Sequence, residues 1–380
     1  MPWRTSSPKL GVLTLGRSDW STTSVPEAHA AGSGPGSPVV LVVDGDAINR
    51  RLLRAILRTV RCRYVEVDAP HQALEWLQSQ TADLIIIDLV MPGMGAQEFC
   101  TRVRALRQAR LTQILVLSST RSLEKEVEVL ATGADGFIAQ PVHPEALRAR
   151  LMALLRHKAL LDTLEEAEGI LFSLAQAVEA RDRSSIGHCE RLALYSVALG
   201  AALGLSEVDL LTLHRGAFLH DIGKVWVPDA ILFKPGPLDS AEWDIMRQHP
   251  IKGEEICRPM RTLAPVLPII RHHHERWDGS GYPDGLAGEQ IPLLARVLQI
   301  SDIFDALTTE RPYKNGMAAE VALTVLQEEA EKGWRDPELV NLFRDVYHRL
   351  NSTELSTWPQ GPTEACFWQS LEALSRQLNL

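Results

Sequence analysis

Apolar residues in the first part of the chain come in short unbroken runs. Val39–Val43, Leu84–Ile87 with Asp88 behind it, Ile114–Leu117 with Ser118 behind it, and Gly136–Ala139 each have the pattern of a strand covered on both faces. Between them Leu52, Leu53, Ile56 and Leu57, and then Ala73, Leu74, Trp76 and Leu77, recur at helical spacing. Strands alternating with helices over roughly 120 residues predict a doubly wound parallel α/β sheet whose site lies at the carboxyl ends of the strands. Asp44, Asp46, Asp88 and Ser118 all fall at such ends.

The period then changes. From Glu145 to Arg181, Leu147, Leu151, Leu154, Leu161, Leu164, Leu171, Leu174 and Val178 follow helical to near-heptad spacing. That predicts either a rigid dimerising connector or two helices divided at Gly169. Beyond it the chain reads as all-α, with Leu192, Leu194, Tyr195, Val197, Leu199 and Leu203 marking one helix and Leu210, Leu211, Leu213, Ala217 and Phe218 another. Phe367, Leu371, Leu374 and Leu378 line a last helix, as padding for the core or for a dimer seam. The expected organisation is a disordered leader over 1–37, rich in Ser, Thr, Gly and Pro, and an α/β domain over 38–157. A helical linker over 158–180, an all-α domain over 165–350 and a helical extension over 351–380 complete it.

Composition narrows what these domains do. A chain of 380 residues, 45% hydrophobic, has enough apolar material for two cores. Its formal charge of -9 leaves no basic stripe of the kind that captures nucleic acid. The five cysteines are scattered and none stands in CxxC spacing, so neither a disulfide framework nor a cysteine zinc site is signalled. With no apolar run of membrane-span length and no secretory pattern at the N-terminus, the expectation is a cytoplasmic protein without a membrane partner.

Seven of the twelve histidines lie between His188 and His274. His220-Asp221 at the end of an apolar helix is a weak signal alone, although Ile222-Gly223 allows the backbone to turn so that both side chains face one point. His188, His249, the His273-His274 pair and Asp302 bring the donors to a number sufficient for two metals. A mixed imidazole and carboxylate set suits iron or manganese better than Mg²⁺, which prefers oxygen, and leaves zinc, cobalt and nickel open.

Over residues 165–350 these motifs resemble the HD-GYP branch of the HD phosphohydrolases, which hydrolyses cyclic di-GMP. The resemblance is carried by His-Asp-Ile-Gly-Lys at 220–224 and by His-His-Glu-Arg-Trp-Asp-Gly-Ser-Gly-Tyr-Pro at 273–283. Asp-Ala-Leu-Thr at 305–308, followed by Arg311-Pro312-Tyr313-Lys314, completes it. It implies one metal on His188, His220, Asp221 and Asp302 and a second on Asp221, His249, His273 and His274, with Asp221 bridging. It also implies that Lys224 serves the departing 3′ oxygen, that Arg311 and Lys314 bind phosphates, and that Tyr282 lines the substrate path. The glycine-rich loop implies contact with diguanylate cyclase (GGDEF) proteins. Some members of this family bind a third metal through a glutamate four residues before the first histidine; Ser184 stands there, so a binuclear centre is expected. His214 and His272 match no ligand position, and Asp305 is expected to orient its neighbours.

Residues 39–157 resemble a response-regulator receiver domain. Asp88 matches the phosphoacceptor, Asp44 the first of the acidic pair that holds Mg²⁺, and Ser118 the switch hydroxyl; a sensor histidine kinase is the implied partner. Gly45 replaces the second acid, Gln140 the lysine before the last proline, and Gly95-Ala96 the usual Asp-Gly, which leaves Asp46 as the substitute ligand. The receiver is expected either to be phosphorylated weakly or to serve only in packing and dimerisation. The whole arrangement resembles the quorum-signal response regulators. The expected protein is a homodimeric cyclic di-GMP phosphodiesterase whose end product is pGpG or GMP. Its rivals are a catalytically silent scaffold that binds GGDEF proteins and an HD hydrolase for another nucleotide.

Overall fold

The computed structural model describes residues 29–30, 36–106, 109–181, 187–310, 316–350, 361, 366–368, 371 and 374. The chain divides between Asp162 and Thr163 into two units. In the first, β1 (His29–Ala30), β2 (Val39–Val43), β3 (Arg63–Val67), β4 (Leu84–Asp88), β5 (Gln113–Ser118) and β6 (Gly136–Ala139) form one sheet in the order β1-β3-β2-β4-β5-β6. β2 to β6 are parallel, and the crossovers are α1 (Ala47–Val60), α2 (Pro70–Leu77), α3 (Ala96–Ala105) and α4 (Leu123–Ala131), with α5 (Pro144–Arg181) after β6.

The period of two along each strand sorts the side chains. Leu41, Val43, Ile85, Ile87, Ile114 and Val116 meet Trp76, Leu77, Phe99 and Val103 on one face. Val40, Val42, Leu84, Ile86, Leu115 and Leu117 meet Leu53, Leu57, Leu147 and Leu151 on the other. Both faces are covered, which is why the strands read as unbroken apolar runs. β3 escaped that pattern because Arg63 and Glu66 interrupt it; Glu66 is taken by Arg54 of α1 at 2.9 and 2.6 Å.

Two expectations change. Within the segment expected to be a disordered leader, His29–Ala30 pairs antiparallel with Arg63 and Tyr64. The edge of β3 offers free backbone donors and acceptors, and such pairing asks little of side-chain composition. The alternative of two helices divided at Gly169 is also set aside: α5 runs unbroken for 38 residues, and the Gly169 carbonyl accepts from Ser173 Oγ at 2.8 Å. One glycine's propensity cost is small against the bonds of a long helix.

The second unit is helical: α6 (His188–Ala202), α7 (Glu207–Leu219), α8 (Asp229–Leu232), α9 (Ser240–Met246), α10 (His249–Cys257), α11 (Leu267–His272), α12 (Leu293–Thr308), α13 (Ala319–Glu331) and α14 (Pro337–Arg349). α6 is apolar almost all round and buried over most of its length, as a central helix must be. Phe367 and Leu374 of the C-terminal segment are buried in this core, so the described part of the last apolar stripe pads the core.

Tyr195 of α6, Phe304 of α12 and Phe343 and Tyr347 of α14 form one aromatic cluster, with Phe304 at 5.4 Å from Tyr195, 5.1 Å from Phe343 and 4.8 Å from Tyr347. Phe304 lies between Asp302 and Asp305 in sequence, so the cluster fixes how α12 presents its acids. Phe304→Ala is expected to cost about 3–5 kcal/mol. Urea unfolding followed by circular dichroism measures that loss, which the second unit's transition should carry.

Candidate metal centre

Three histidines share one local device. His220 follows α7, His249 opens α10 just after α9, and His273 follows α11. The last carbonyls of a helix lack intrahelical donors. His220 Nδ1 meets Ala217 O at 3.0 Å, His249 Nδ1 meets Met246 O at 2.8 Å and His273 Nδ1 meets Ile270 O at 2.8 Å. A carbonyl only accepts, so each Nδ1 carries the proton and donates. Each Nε2 is thereby turned inward, and on a neutral ring it is a lone pair.

Those lone pairs converge on Asp221. Its carboxylate lies 3.3 Å from His220 Nε2, 3.2 Å from His249 Nε2 and 3.8 Å from His273 Nε2, and the Lys224 ammonium bonds its Oδ2. His249 Nε2 and His273 Nε2 face each other at 3.3 Å, and on neutral rings both are acceptors. Asp221 Oδ1 and His220 Nε2 are buried without hydrogen-bond partners among the described residues. Facing acceptors and orphaned polar atoms are unfavourable unless a cation sits among them.

Asp221, His249, His273 and His274 form one group of donors within 4.8 Å of one another, and His188, His220 and Asp302 form a second. Asp221 touches members of both, as a shared ligand would. The second group depends on α6 packing against α12. His188 Nδ1 donates to Asp305 Oδ2 at 2.7 Å, which aims His188 Nε2 at Asp302 Oδ1, 3.5 Å away. Arg191 in turn holds Asp305 at 2.5 and 3.0 Å. Arg191 was not singled out in the sequence, yet His188/Arg191 and Asp302/Asp305 are each spaced to share a helix face.

Charge follows the same geometry. Burial, with the His220 and His249 rings, holds His273 well below the usual imidazole range; burial, with His273 and His249, does the same to His274. Both rings therefore keep their lone pairs. Burial opposes a charge on His220 too, but the Asp221 carboxylate outweighs it and pushes the ring up to about 9.

A cavity of about 220 Å³ opens beside these groups, lined by His188, His220, Asp221, Lys224, His274 and Asp302, with Val178, Phe218 and Leu232 as apolar wall. On the far side of His274 the Tyr282 ring stacks at 4.8 Å and 29°. Arg311, Lys314 and Ser184 lie outside the described residues. His214 packs among Phe218 and Phe367 at 5.3 and 5.5 Å, away from both groups. A third cluster, His272, Glu275 and Asp284, is already committed: Glu275 accepts from Asp284 N at 2.7 Å and Leu286 N at 3.1 Å, while Arg271 clamps Asp284 with two 2.7 Å bonds. It braces the loop rather than leaving donors open.

The acids of the first unit are differently arranged. Asp44 is buried, its Oδ1 accepting from Asp46 N at 2.7 Å and its Oδ2 unpartnered among the described residues. Burial, added to the nearby Asp88, raises its pKa. Asp46 caps α1, its Oδ1 accepting from Ile48 N at 2.7 Å. Asp88 Oδ1 accepts from Val90 N at 2.8 Å, and Ser118 Oγ donates to Thr120 O at 2.8 Å. Among the described residues no group of three donors forms around these acids, because Gly45 supplies none.

Sheet, helical unit and paired donor groups together define a receiver joined to a metal-dependent hydrolase of HD type. Family models agree: one for the response regulator receiver domain matches residues 40–152, and one for the HD domain matches residues 172–339. The cyclic di-GMP phosphodiesterase response regulator RpfG of Xanthomonas campestris is 34% identical over 76% of this chain and 82% of its own. A cyclic di-GMP phosphodiesterase of Thermotoga maritima is 32% identical over 83% of this chain and 94% of its own. A 3′3′-cGAMP-specific phosphodiesterase 2 of Vibrio cholerae is 43% identical over 48% of this chain and 35% of its own. The chain belongs to the family of response regulators in which a receiver domain is joined to an HD-type phosphohydrolase domain.

One backbone approach underlies the site. A Cβ on Gly223 would lie 1.9 Å from His249 O and 2.6 Å from Gly253 N, so only glycine lets the turn after Asp221 rest on α10. Gly223→Ala is expected to cost about 3 kcal/mol of stability and to weaken metal binding at least tenfold. Metal titration by calorimetry, read beside thermal unfolding, tests it.

Proposed function

We propose that this protein hydrolyses cyclic di-GMP to pGpG and then to GMP at a binuclear centre of iron or manganese. The observation that carries the reading is the pair of adjacent donor groups meeting at Asp221, with Lys224 beside it. His188, His220 and Asp302 hold one cation and His249, His273 and His274 the other, with Asp221 shared. When bound, the two ions supply Lewis-acid activation of the phosphodiester and of the attacking water. The chain's own groups do the rest. Asp305 and the helix-end carbonyls fix which nitrogen of each ring faces inward. Lys224 is tied to Asp221 and open to the cavity, where it stabilises and protonates the departing 3′ oxygen. Arg311 and Lys314 neutralise the phosphates, and Tyr282 lines the path.

In the receiver, Asp88 is the phosphoacceptor for a sensor histidine kinase and Asp44 the remaining acid for Mg²⁺, with Ser118 as the switch. Gly45 and Gln140 leave that phosphoryl group weakly held. α5, with Leu160, Leu164, Ile170 and Leu174 exposed along it, supports a homodimer, and the Gly279–Gly285 loop is offered to GGDEF partners. Lys224, bonded to the shared carboxylate and lining the cavity, favours hydrolysis over a scaffold without turnover.

The test is turnover of cyclic di-GMP by protein prepared under low oxygen with iron or manganese. Asp221→Ala is expected to abolish it, and Lys224→Met to lower kcat about 10²-fold or more; metal-independent activity that is equal in wild type and Asp221→Ala ends the proposal. For the receiver, a small-molecule phosphodonor is expected to label a minor fraction of the protein slowly and to leave Asp88→Asn unlabelled. Electrophoresis on phosphate-affinity gels reads this, and labelling that survives in Asp88→Asn refutes the assignment.

A further inference from the structure

The ring stack that begins at the metal ligand His274 does not end at Tyr282. Beyond Tyr282 lies Arg247, its guanidinium carbon 5.8 Å from the Tyr282 ring centroid and 5.8 Å from that of Trp243. Arg247 ends α9 and precedes the ligand His249 by two residues, so its backbone is fixed by the same segment that builds the metal centre. Trp243, one turn back on α9, is 43% exposed, and Arg247 is exposed as well. Among the described residues no carboxylate pairs with Arg247, whereas Arg191, Arg271 and Arg296 around the same unit are each bound to one.

Such an arginine lies against two aromatic rings, and among the described residues no carboxylate takes its N–H donors. Aromatic stacking of this kind orders the guanidinium without consuming its hydrogen bonds. Its position limits what it can meet. Stacked steps of 4.8 and 5.8 Å separate it from His274, too far for a phosphate seated among the ligands but within the span of the nucleoside attached to that phosphate. A guanidinium fork fits the O6 and N7 acceptors of guanine, and adenine presents a donor where guanine presents O6. Trp243 beside it offers a face on which a base stacks.

We infer that Arg247, with Trp243, forms a guanine-recognition subsite serving the metal centre. The inference rests on the reading of this site as a cyclic di-GMP phosphodiesterase. Arg247 would then be a specificity-determining residue that grips one base of the dinucleotide while the scissile phosphate lies at Asp221.

The test uses the metal-loaded full chain with Arg247→Ala, Arg247→Lys and Trp243→Ala. It measures KM for cyclic di-GMP and inhibition of bis(p-nitrophenyl) phosphate turnover by GMP and by AMP. Wild type is expected to bind GMP at least tenfold more tightly than AMP. Arg247→Ala should bring that ratio close to one and raise the KM for cyclic di-GMP at least tenfold. Arg247→Lys, which keeps the charge and loses the fork, should also lose the preference, and Trp243→Ala should weaken both mononucleotides together. The ratio of two inhibition constants does not depend on how much of a variant is active, so partial misfolding does not mimic the result. Equal inhibition by GMP and AMP in wild type, or a preference that survives Arg247→Ala, overturns the subsite. An Arg247-dependent preference for GMP in a protein that leaves cyclic di-GMP intact keeps the subsite and overturns the substrate reading instead.

Discussion

The second unit depends on holding imidazole lone pairs against one another. His249 Nε2 and His273 Nε2 lie 3.3 Å apart, and on neutral rings the two acceptors repel unless a cation lies between them. The fold supplies the compensation in its backbone: helix-end carbonyls that need a donor receive Nδ1–H from the rings, which settles the tautomer and the direction of Nε2 together. Three ligands from three different helix ends are aimed by one repeated contact, three residues back along the chain. His188 is aimed instead by Asp305 across the α6–α12 interface, so that half of the centre is tied to tertiary packing.

The glycine-rich loop belongs to this support as much as to the substrate path. Glu275, fully buried, takes two backbone N–H groups of the loop, and the Gln299 amide of α12 binds the carbonyls of His273 and Glu275. A Cβ on Gly281 would lie 2.3 Å from Arg276 N, so the loop rests directly on the backbone that carries the histidine pair. The residues between His274 and Gly285 therefore fix ring positions, and Tyr282 extends the same order outward to Arg247. The proposed substrate path and the rigidity of the donor rings share one stretch of chain.

The receiver shows the opposite balance. Its sheet and cores are complete, with both faces of five parallel strands covered, but its acids stand apart. Asp46 caps a helix through one oxygen and Gly45 contributes no side chain, while Asp44 keeps an unpartnered buried oxygen among the described residues. A fold can be intact where its chemistry is thinned, because packing is set by the apolar majority and ligation by three or four side chains.

What the chain alone determined is local. Unbroken apolar runs exposed β2, β4, β5 and β6, helical spacing exposed α1, α2, α5 and α6, and the order of the histidine and aspartate motifs marked both donor groups. β3 stayed hidden because Arg63 and Glu66 break its apolar run, and β1 because a two-residue edge pairing uses backbone rather than side chains. Tertiary structure decided what adjacency in sequence does not carry. It made Asp221 the meeting point of two groups, put Asp305 and Arg191 behind His188, and turned Asp46 into a cap. It also carried the stack from His274 through Tyr282 to Arg247, since ring contacts and lone-pair directions exist only once distant helix ends are packed to within a few ångströms of one another.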